Sequence, residues 1–440
     1  MTRGNLVQDT LPSSAPAADP AGAATAGPDA APGRQDDADR NGEPDGLGTY
    51  VLTSESVYES TKPAMRAFVF RHMDEAADWP TVQVRHGSRL RPLGKGAPVD
   101  VTTEVLGRDE TIDSFMVRFG IAACMVVKDG EIRAQRYLYG NTPSSRPNVQ
   151  SVTKAFTSTA LAVAVKNGKI GSIDDPVTRY LPEMRGSAYG RATVRDLIDM
   201  TSGACDAGRS SVAYEPTETP RRKYYSRTEP DAVINWLRTF GAEGEPGEVY
   251  RYSDLNFYLV SVILERAVGM PVEAYIAREI WEPAGMQYDA YMRQTHARQT
   301  DGHGGMSMTA PDLARFGLFV MDNLRGQGGP DVPKHWFRDI AAARTSTGIR
   351  APGALDYLIQ DFGYEHGWWT LPRGRDRYEL GDDGGFAAIG HFGQALFIVP
   401  GANTVAVIQS AATGESPERY IAQKQLVTSI VLKLKREDGQ

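Results

Sequence analysis

The apolar positions of this chain recur with two periods, and their order predicts strands toward both ends of the chain with helices between them. Short apolar runs bounded by turn residues predict strands over 115–127, 132–139, 363–370, 386–399 and 404–410. Asp129-Gly130 has the composition of the turn between the first two strands, and Pro400-Gly401-Ala402-Asn403 that of the turn before the last.

Apolar residues at helical spacing predict helices over 65–77, 151–167, 193–200, 231–239, 256–268, 272–281, 311–322 and 417–435. Gly168 marks the end of the second of these helices, and Thr309 is a good N-cap for the seventh. The order of the elements predicts an α/β (α+β) fold in which an antiparallel sheet is flanked by helices.

The predicted sheet draws its strands from both halves of the chain, so the helical middle reads as an insertion. We predict an α/β sheet domain formed by 49–169 and 324–440, with a mostly helical domain over 170–323. Residues 1–48 are rich in Ala, Pro, Gly and Asp and cannot bury enough apolar surface to offset their chain entropy, so we predict a disordered tail.

Composition excludes several classes of function. The 440 residues contain no apolar run of about eighteen, the length that a membrane span needs, so we predict no membrane association. The net charge of −7 and the scattered histidines argue against nucleic-acid binding. No apolar stretch of signal-peptide length follows Arg3, and we therefore expect cytoplasmic residence.

The two cysteines, Cys124 and Cys205, indicate neither a disulfide framework nor a cysteine-based metal site. Cys124 lies in an apolar run, where a small buried side chain is the simplest interpretation. We predict no metal and no cofactor. The partner that we expect is a small ester or amide substrate, and the only macromolecular partner that we allow for is a second copy of the chain in a homodimer.

Ser151-Val-Thr-Lys154 opens the helix predicted over 151–167. Residues three apart lie on one face of a helix, so the lysine can reach the serine hydroxyl. The positive end of the helix dipole disfavours a charged lysine, and we expect it to lower the pKa of Lys154 so that the amine can take the serine proton. The alternative is a surface lysine on an ordinary helix.

Two further segments are candidates for the same site. Tyr252-Ser253-Asp254 precedes a predicted helix, where the tyrosine could shuttle a proton, or Ser253 or Asp254 could merely cap the helix. Gly390-His391-Phe392-Gly393-Gln394 interrupts an apolar strand pattern, where a backbone N–H could join that of Ser151 in an oxyanion hole, or the glycines could mark a β-bulge.

Other hydrolase signatures are missing from the sequence. The chain contains no Gly-x-Ser-x-Gly elbow, no His-Glu-x-x-His and no Walker loop.

Taken in order, Ser151-Val-Thr-Lys154, Tyr252-Ser-Asp254 and His391-Phe-Gly393 resemble the three active-site elements of the class C β-lactamase, DD-peptidase and esterase superfamily. Within that superfamily the chain is similar to 6-aminohexanoate-dimer hydrolases and related carboxylesterases. The stretches that carry this likeness are Gln150-Ser-Val-Thr-Lys-Ala155, Leu181-Pro-Glu-Met-Arg-Gly-Ser-Ala-Tyr189, Asp199-Met-Thr-Ser-Gly203 and Gly304-Gly-Met-Ser-Met-Thr-Ala-Pro-Asp-Leu-Ala-Arg-Phe-Gly317.

The resemblance implies a β-lactamase/transpeptidase-like fold with an all-helical domain inserted beside the sheet and the active site in the cleft between them. It also implies roles for individual residues. Ser151 would be the nucleophile, Lys154 the base and Tyr252 the proton relay, with the backbone N–H groups of Ser151 and Gln394 as the oxyanion hole. Tyr214, before Pro216, stands where a loop tyrosine closes over the substrate amide in the dimer hydrolases; an ordinary loop residue is the alternative.

The chain departs from the lactamases at two of these positions. Asp254 replaces the asparagine of the second element, and His391, followed by Gly393, replaces the lysine of the third. The resemblance implies that Asp254, His391 and Gly393 take part in substrate binding. A histidine lacks the permanent charge that lysine offers to the carboxylate of a lactam drug. We therefore expect poor β-lactam hydrolysis. Trp368 and Trp369, ahead of the third element, are expected to wall the acyl-binding pocket or else to pack in the core.

Three functions follow from these residues. The first is a serine hydrolase that cleaves esters or amides through an acyl-serine intermediate. The second is an acyltransferase of the same fold that passes the acyl group to an amine or alcohol in a biosynthetic pathway. The third is a catalytically silent binding or sensor protein, which the joint presence of Ser151, Lys154 and Tyr252 disfavours.

Overall fold

The structure is a computed structural model, and it describes residues 51–205, 220–327, 332–333, 335–343, 349–350, 362–414 and 416–439. The predicted tail over 1–48 and the loop residue Tyr214 lie outside the described residues.

The strands of the described residues are β1 Thr81–Val84, β2 Gly94–Lys95, β3 Thr102–Val105, β4 Arg108–Thr111, β5 Ile121–Lys128, β6 Glu131–Tyr137, β7 Ala204–Cys205, β8 Gly241–Ala242, β9 Val249–Tyr250, β10 Ala290–Arg293, β11 Ile349–Arg350, β12 Gly363–Glu365, β13 Trp368–Thr370, β14 Phe386–Gly390, β15 Gln394–Val399 and β16 Thr404–Ser410.

The helices are α1 Ser56–Glu59, α2 Pro63–Arg71, α3 Ile112–Phe119, α4 Thr153–Lys166, α5 Val177–Tyr180, α6 Val194–Ile198, α7 Pro220–Tyr225, α8 Ala232–Leu237, α9 Asp254–Val268, α10 Val272–Ile276, α11 Ala310–Arg325, α12 Trp336–Ala342 and α13 Pro417–Glu437. A π-helical turn, Ala277–Trp281, continues α10.

One eight-stranded sheet dominates the fold, with strand order β12-β13-β14-β15-β16-β5-β6-β2. Its neighbours are antiparallel except for the short edge pair of β2 and β6. The N-terminal hairpin joins the C-terminal meander where β16 pairs with β5, with Val407 opposite Met125. The structure thus confirms an antiparallel sheet built from both halves of the chain.

The predicted turns lie where the sequence placed them. Asp129 and Gly130 both adopt left-handed backbone conformations, with φ of 55° and 82°, as a two-residue hairpin turn between β5 and β6 requires. The Thr309 hydroxyl accepts a hydrogen bond from the Asp312 N–H and caps α11. Cys124 is buried within β5 and, like Cys205, forms no disulfide.

The strand predicted over 115–127 is wrong in its first part, because Ile112–Phe119 is a helix. Thr111 and Ser114 form a reciprocal capping box at its start, and Gly120, with φ of 65°, ends it. The helix buries Ile112, Phe115 and Met116 and is followed at once by an apolar strand, so the apolar residues of the two elements are separated by little more than Arg118 and Gly120.

Two predicted strands are hairpins instead. The segment 363–370 turns at His366-Gly367, between β12 and β13. The segment 386–399 turns at His391–Gly393, between β14 and β15. Both faces of these strands are buried, so the apolar pattern does not show where the chain reverses.

Helices pack against the sheet, and further helices form the segment of the chain between its N-terminal and C-terminal strands. On the sheet, α11 packs so closely that a Cβ on Gly317 would lie 2.6 Å from a methyl group of Val405. Phe156 of α4 stacks on Phe316 of α11 with ring centroids 3.8 Å apart. The domain boundaries at 169 and 324 stay a prediction, and α11, which was assigned to the helical domain, lies against the sheet.

Among the described residues, no single helix has the length and hydropathy of a membrane span, although α9 and the segment Val272–Trp281 meet that test together as a pair bent by 75°.

Candidate active site

Ser151 lies in a tight turn at the entry to α4. The turn, Gln150–Val152, is a single 3-10 turn, and Ser151 is half-buried within it. Asn148 accepts a hydrogen bond from the Gln150 N–H at 2.9 Å, and the Thr153 hydroxyl donates to the Gln150 carbonyl at 2.6 Å. Gln150 itself has a φ of 51°, a conformation that costs energy for a residue other than glycine. The side chains around the turn therefore fix the position of Ser151.

Lys154 lies one helical turn further on and is fully buried, with 1% of its surface exposed. Its ammonium group donates three hydrogen bonds: to Ser151 Oγ at 2.9 Å, to Asp254 Oδ1 at 2.7 Å and to the His303 carbonyl at 2.8 Å. The alternative of a surface lysine is thereby wrong.

Tyr252 completes this group. Lys154 Nζ lies 4.9 Å from the centroid of the Tyr252 ring, and both Lys154 and Ser151 are close enough to the phenol to lower its pKa. The Trp369 ring stacks on the Tyr252 ring with centroids 5.8 Å apart, and the Tyr364 ring meets it edge-on at 5.9 Å. The phenol is thus held between two aromatic rings with its hydroxyl toward the serine. Ser253 is the N-cap residue of α9 but makes no capping hydrogen bond with its side chain, so the capping alternative is wrong for Ser253, and Asp254 accepts a hydrogen bond from Lys154.

The charges of the site differ from the sequence-based expectation. Burial disfavours a charged lysine, but the Asp254 carboxylate and the Tyr252 hydroxyl outweigh burial and raise the pKa of Lys154 above its ordinary value. The prediction that the helix dipole lowers this pKa is wrong, because it left out the carboxylate of Asp254. Burial raises the pKa of Tyr252, and the neighbouring ammonium only partly offsets that rise. In the resting site, Lys154 is an ammonium and Tyr252 a neutral phenol.

Two residues behind Asp254 were not identified from the sequence. His303 Nε2 lies 3.7 Å from Asp254 Oδ2, and His303 Nδ1 forms a short hydrogen bond with Asp301 Oδ1. Asp301 and His303 are 0% and 6% exposed. The only signal for them in the sequence is the run Asp301-Gly-His-Gly-Gly305, in which an acid and a histidine stand among glycines.

The third element is the turn between β14 and β15, and it lies against the turn Gln150–Val152 that contains Ser151. A Cβ on Gly390 would lie 2.6 Å from the Val149 carbonyl oxygen, so only glycine allows this approach. The Gln394 side chain is buried and bonds the backbone of Ser410 through both its amide nitrogen and its oxygen. This side chain is therefore held away from Ser151, and any role of Gln394 at the serine falls to its backbone.

The rest of the turn is held by its neighbours. Phe392 has a φ of 61° and is buried, with the Arg66 guanidinium 4.0 Å from its ring centroid. The Gly393 carbonyl accepts a hydrogen bond from Gln423 at 2.9 Å. His391 is half-buried, and its ring lies 3.9 Å from that of Phe392. The assignment of Gly393 and His391 to substrate binding stays a prediction.

The two tryptophans have different surroundings. Trp368 is 0% exposed and packs in the core, with its ring 6.0 Å from Phe316 and 5.2 Å from Phe386. This is the core alternative raised by the sequence. Trp369 lies instead against the Tyr252 ring, so it is the tryptophan next to the reacting groups.

Apart from these residues, one described cluster has side chains of the kinds that bind metals: Asp199, Glu365 and His366, whose ligand atoms lie within 4.8 Å of one another. His366 Nδ1 already lies 3.0 Å from Asp199 Oδ1. Asp199 and His366 therefore form an ion pair that fixes the β12–β13 turn.

The fold and the site together define the class of protein. The Beta-lactamase family model matches residues 108–428, and the chain belongs to this family of serine hydrolases with the β-lactamase fold. Among individual proteins, the chain is 27% identical to the 6-aminohexanoate-dimer hydrolase of Paenarthrobacter ureafaciens over 333 residues, which are 74% of this chain and 81% of that protein.

Solved structures show the same fold. A putative 6-aminohexanoate-dimer hydrolase from Bacillus anthracis superposes with a TM-score of 0.73 at 21% identity, covering 88% of this chain and 97% of that one. A class C β-lactamase superposes with a TM-score of 0.51 at 18% identity, covering 72% of this chain and 94% of the lactamase.

Proposed function

We propose that this protein hydrolyses linear esters or amides through an acyl intermediate on Ser151. The observation that carries the proposal is the buried ammonium of Lys154, which lies 2.9 Å from Ser151 Oγ and 4.9 Å from the centroid of the Tyr252 ring. A serine hydroxyl needs an adjacent base before it attacks a carbonyl, and this arrangement supplies two groups that exchange protons with it.

The first half of the reaction forms the acyl-enzyme. Ser151 Oγ attacks the carbonyl carbon as its proton passes to Lys154, which must first have become a neutral amine. The carbonyl oxygen gains negative charge, and the backbone N–H groups of Ser151 and Gln394 are the donors that we assign to it. The scissile bond then breaks, and Tyr252 passes a proton to the leaving alcohol or amine.

The second half repeats these steps with water. A water molecule gives up a proton to the same groups as its oxygen attacks the acyl carbon. The bond to Ser151 Oγ breaks, the acid leaves, and the serine takes back a proton. Acylation and deacylation therefore use one set of residues.

The substrate class rests on the departures from the lactamase pattern. His391 offers no permanent positive charge to a substrate carboxylate, and Asp254 brings a negative charge where lactamases have an amide. Both features favour uncharged acyl groups over β-lactams. The similarity to a 6-aminohexanoate-dimer hydrolase supports an amide or ester with a linear acyl chain.

The direct test is turnover of p-nitrophenyl acetate and butyrate by the wild type and by Ser151→Ala. We expect the variant to fall to near background while its melting temperature is kept, and Ser88→Ala, at an exposed serine, to match the wild type. Retention of about a tenth or more of the rate would place the nucleophile elsewhere. With an added amine, loss of free acid in favour of an amide product would show that acyl transfer, not hydrolysis, is the reaction.

A further inference from the structure

A chain of polar groups runs from the nucleophile into the interior. Ser151 Oγ contacts Lys154 Nζ, which contacts Asp254 Oδ1; the other oxygen of Asp254 lies 3.7 Å from His303 Nε2, and His303 Nδ1 bonds Asp301. All members beyond the serine are buried. Asp254 therefore lies between two bases, an amine on one side and an imidazole on the other.

This arrangement bears on how Lys154 becomes a base. An ammonium cannot take a proton from Ser151, and a neutral phenol is a poor acceptor, so the resting site described above has to lose one proton from Lys154 before acylation. Tyr252 is not the acceptor of that proton, because burial raises its pKa above the ordinary value and it is already a protonated phenol in the resting site.

We propose that His303 holds the proton that Lys154 must give up, and that Asp254 is the shared counter-ion of the two. In the exchange one N–H bond breaks on Lys154 and one N–H bond forms on His303 Nε2. Asp254 takes the proton from Lys154 and gives it up to His303, so it is a carboxylate before and after the exchange while its partner changes from the ammonium to the imidazolium. The inference rests on the proposed function, and it makes His303 a positioning residue that acts through Lys154.

The charges that face His303 favour this exchange. Asp301 and Asp254 lie on its two sides, whereas Lys154 faces one carboxylate and the positive end of α4. The raised pKa of Lys154 and the ordinary pKa of about 6.5 for histidine oppose the exchange, whereas the carboxylate of Asp301 favours it. Among the residues that the structure describes, Arg293, 4.0 Å from Asp301, and the Tyr225 ring, 6.3 Å from that of His303, also lie on this side.

The loop that carries His303 is held firmly in place. A Cβ on Gly302 would lie 2.8 Å from Ser261 of α9 and 2.9 Å from Thr157 of α4, and Thr157 donates a hydrogen bond to the Gly302 carbonyl. The gap of 3.7 Å between His303 and Asp254 exceeds a hydrogen bond by about 0.8 Å, which a small rotation of either side chain closes.

The test compares wild type with His303→Gln, which keeps the backbone carbonyl that Lys154 contacts but cannot carry the proton. The readout is the rate at which a fluorophosphonate labels the protein, followed by intact mass across pH. In the variant, Lys154 can lose its proton only to solvent. The rising limb of the profile, where the labelling rate increases with pH, should therefore lie at higher pH than in the wild type. The rate near neutral pH falls about tenfold for each pH unit of that move, and the two profiles meet at high pH.

Asp301→Asn is the second variant, and it should move the limb in the same direction by a smaller amount. His86→Gln, at an exposed histidine, is the matched control and should leave the profile unchanged. An equal loss of rate at every pH, or an unmoved limb in both His303→Gln and Asp301→Asn, overturns the inference. If the wild type forms no adduct at all, the proposed function fails and the inference fails with it, whereas an adduct with an unmoved limb removes the inference alone.

Discussion

Replacing Asp254 with asparagine tests the electrostatics of the site most sharply. The ion pair with Lys154 is 2.7 Å long, and the two side chains are 1% and 3% exposed. Removing one partner of such a buried pair leaves an uncompensated charge and costs about 3–5 kcal/mol of stability. Asparagine keeps the shape of the side chain and one acceptor oxygen. We therefore expect Asp254→Asn to lower the free energy of unfolding by about 3 kcal/mol, the lower end of this range.

The assay is a double-mutant cycle of Asp254→Asn, Lys154→Met and the double variant, with unfolding measured in urea. The losses of stability in the two single variants should add up to more than the loss in the double variant. The excess, which is the coupling energy of the pair, should be about 2–3 kcal/mol. A loss below about 1 kcal/mol for Asp254→Asn, the value of an exposed pair, would refute a buried charged lysine.

The pH dependence gives the same cycle a second check. A lysine whose pKa is raised on folding contributes stability that is complete below its unfolded pKa, about 10.4, and is lost as pH rises through the folded value. The difference in free energy of unfolding between wild type and Lys154→Met should therefore stay flat from about pH 8 to about pH 9 and shrink only above about pH 10. A difference that already shrinks below about pH 9 would contradict the raised pKa of Lys154.

Four further variants probe the rest of the site. Gly390→Ala should cut kcat for aryl esters by about tenfold or more, because its Cβ would lie 2.6 Å from the Val149 carbonyl oxygen, beside the turn that contains Ser151, and displace the reacting groups. Trp368→Ala should lower stability by about 3–5 kcal/mol, since it empties a core site, and leave acyl-chain preference unchanged, whereas Trp369→Leu should change that preference. His391→Lys should improve turnover of cephalosporins relative to p-nitrophenyl butyrate by roughly tenfold or more, the value of a charge-assisted contact.

Each of these has its own check. Gly244→Ala, where the nearest atom to the new Cβ is 3.8 Å away, is the matched control for Gly390→Ala and should keep full activity. For the tryptophans the assay pairs melting curves with a chain-length series of esters, and an altered preference in Trp368→Ala would contradict its core position. Lactam turnover that rivals ester turnover in the wild type would contradict the substrate class.

The parts of the fold that were predictable are those with local causes. The Asp129-Gly130 turn and the Thr309 cap follow from short-range backbone chemistry, and both are present. The helix Ile112–Phe119 was missed because its apolar residues lead directly into those of β5, and the turn His391–Gly393 was missed because a buried apolar strand lies on each side of it. Hydrophobic pattern alone cannot place a boundary there.

The candidate site also has features that the sequence predicted and features that it did not. The spacing of Ser151 and Lys154 is local to one helix and predicted their contact, which the structure shows at 2.9 Å. The pKa of Lys154 was predicted in the wrong direction because its carboxylate partner lies 100 residues away in the chain. Asp301 and His303 reach the site only through packing of their loop against two helices, which no spacing rule in the sequence reveals.

The most direct test of the central claim is intact-mass and peptide analysis after incubation with a fluorophosphonate. The account predicts one covalent adduct per chain, located on Ser151, and no adduct in Ser151→Ala. An unlabelled wild type, or an adduct that persists in Ser151→Ala, would contradict the assignment of Ser151 as the acylated nucleophile.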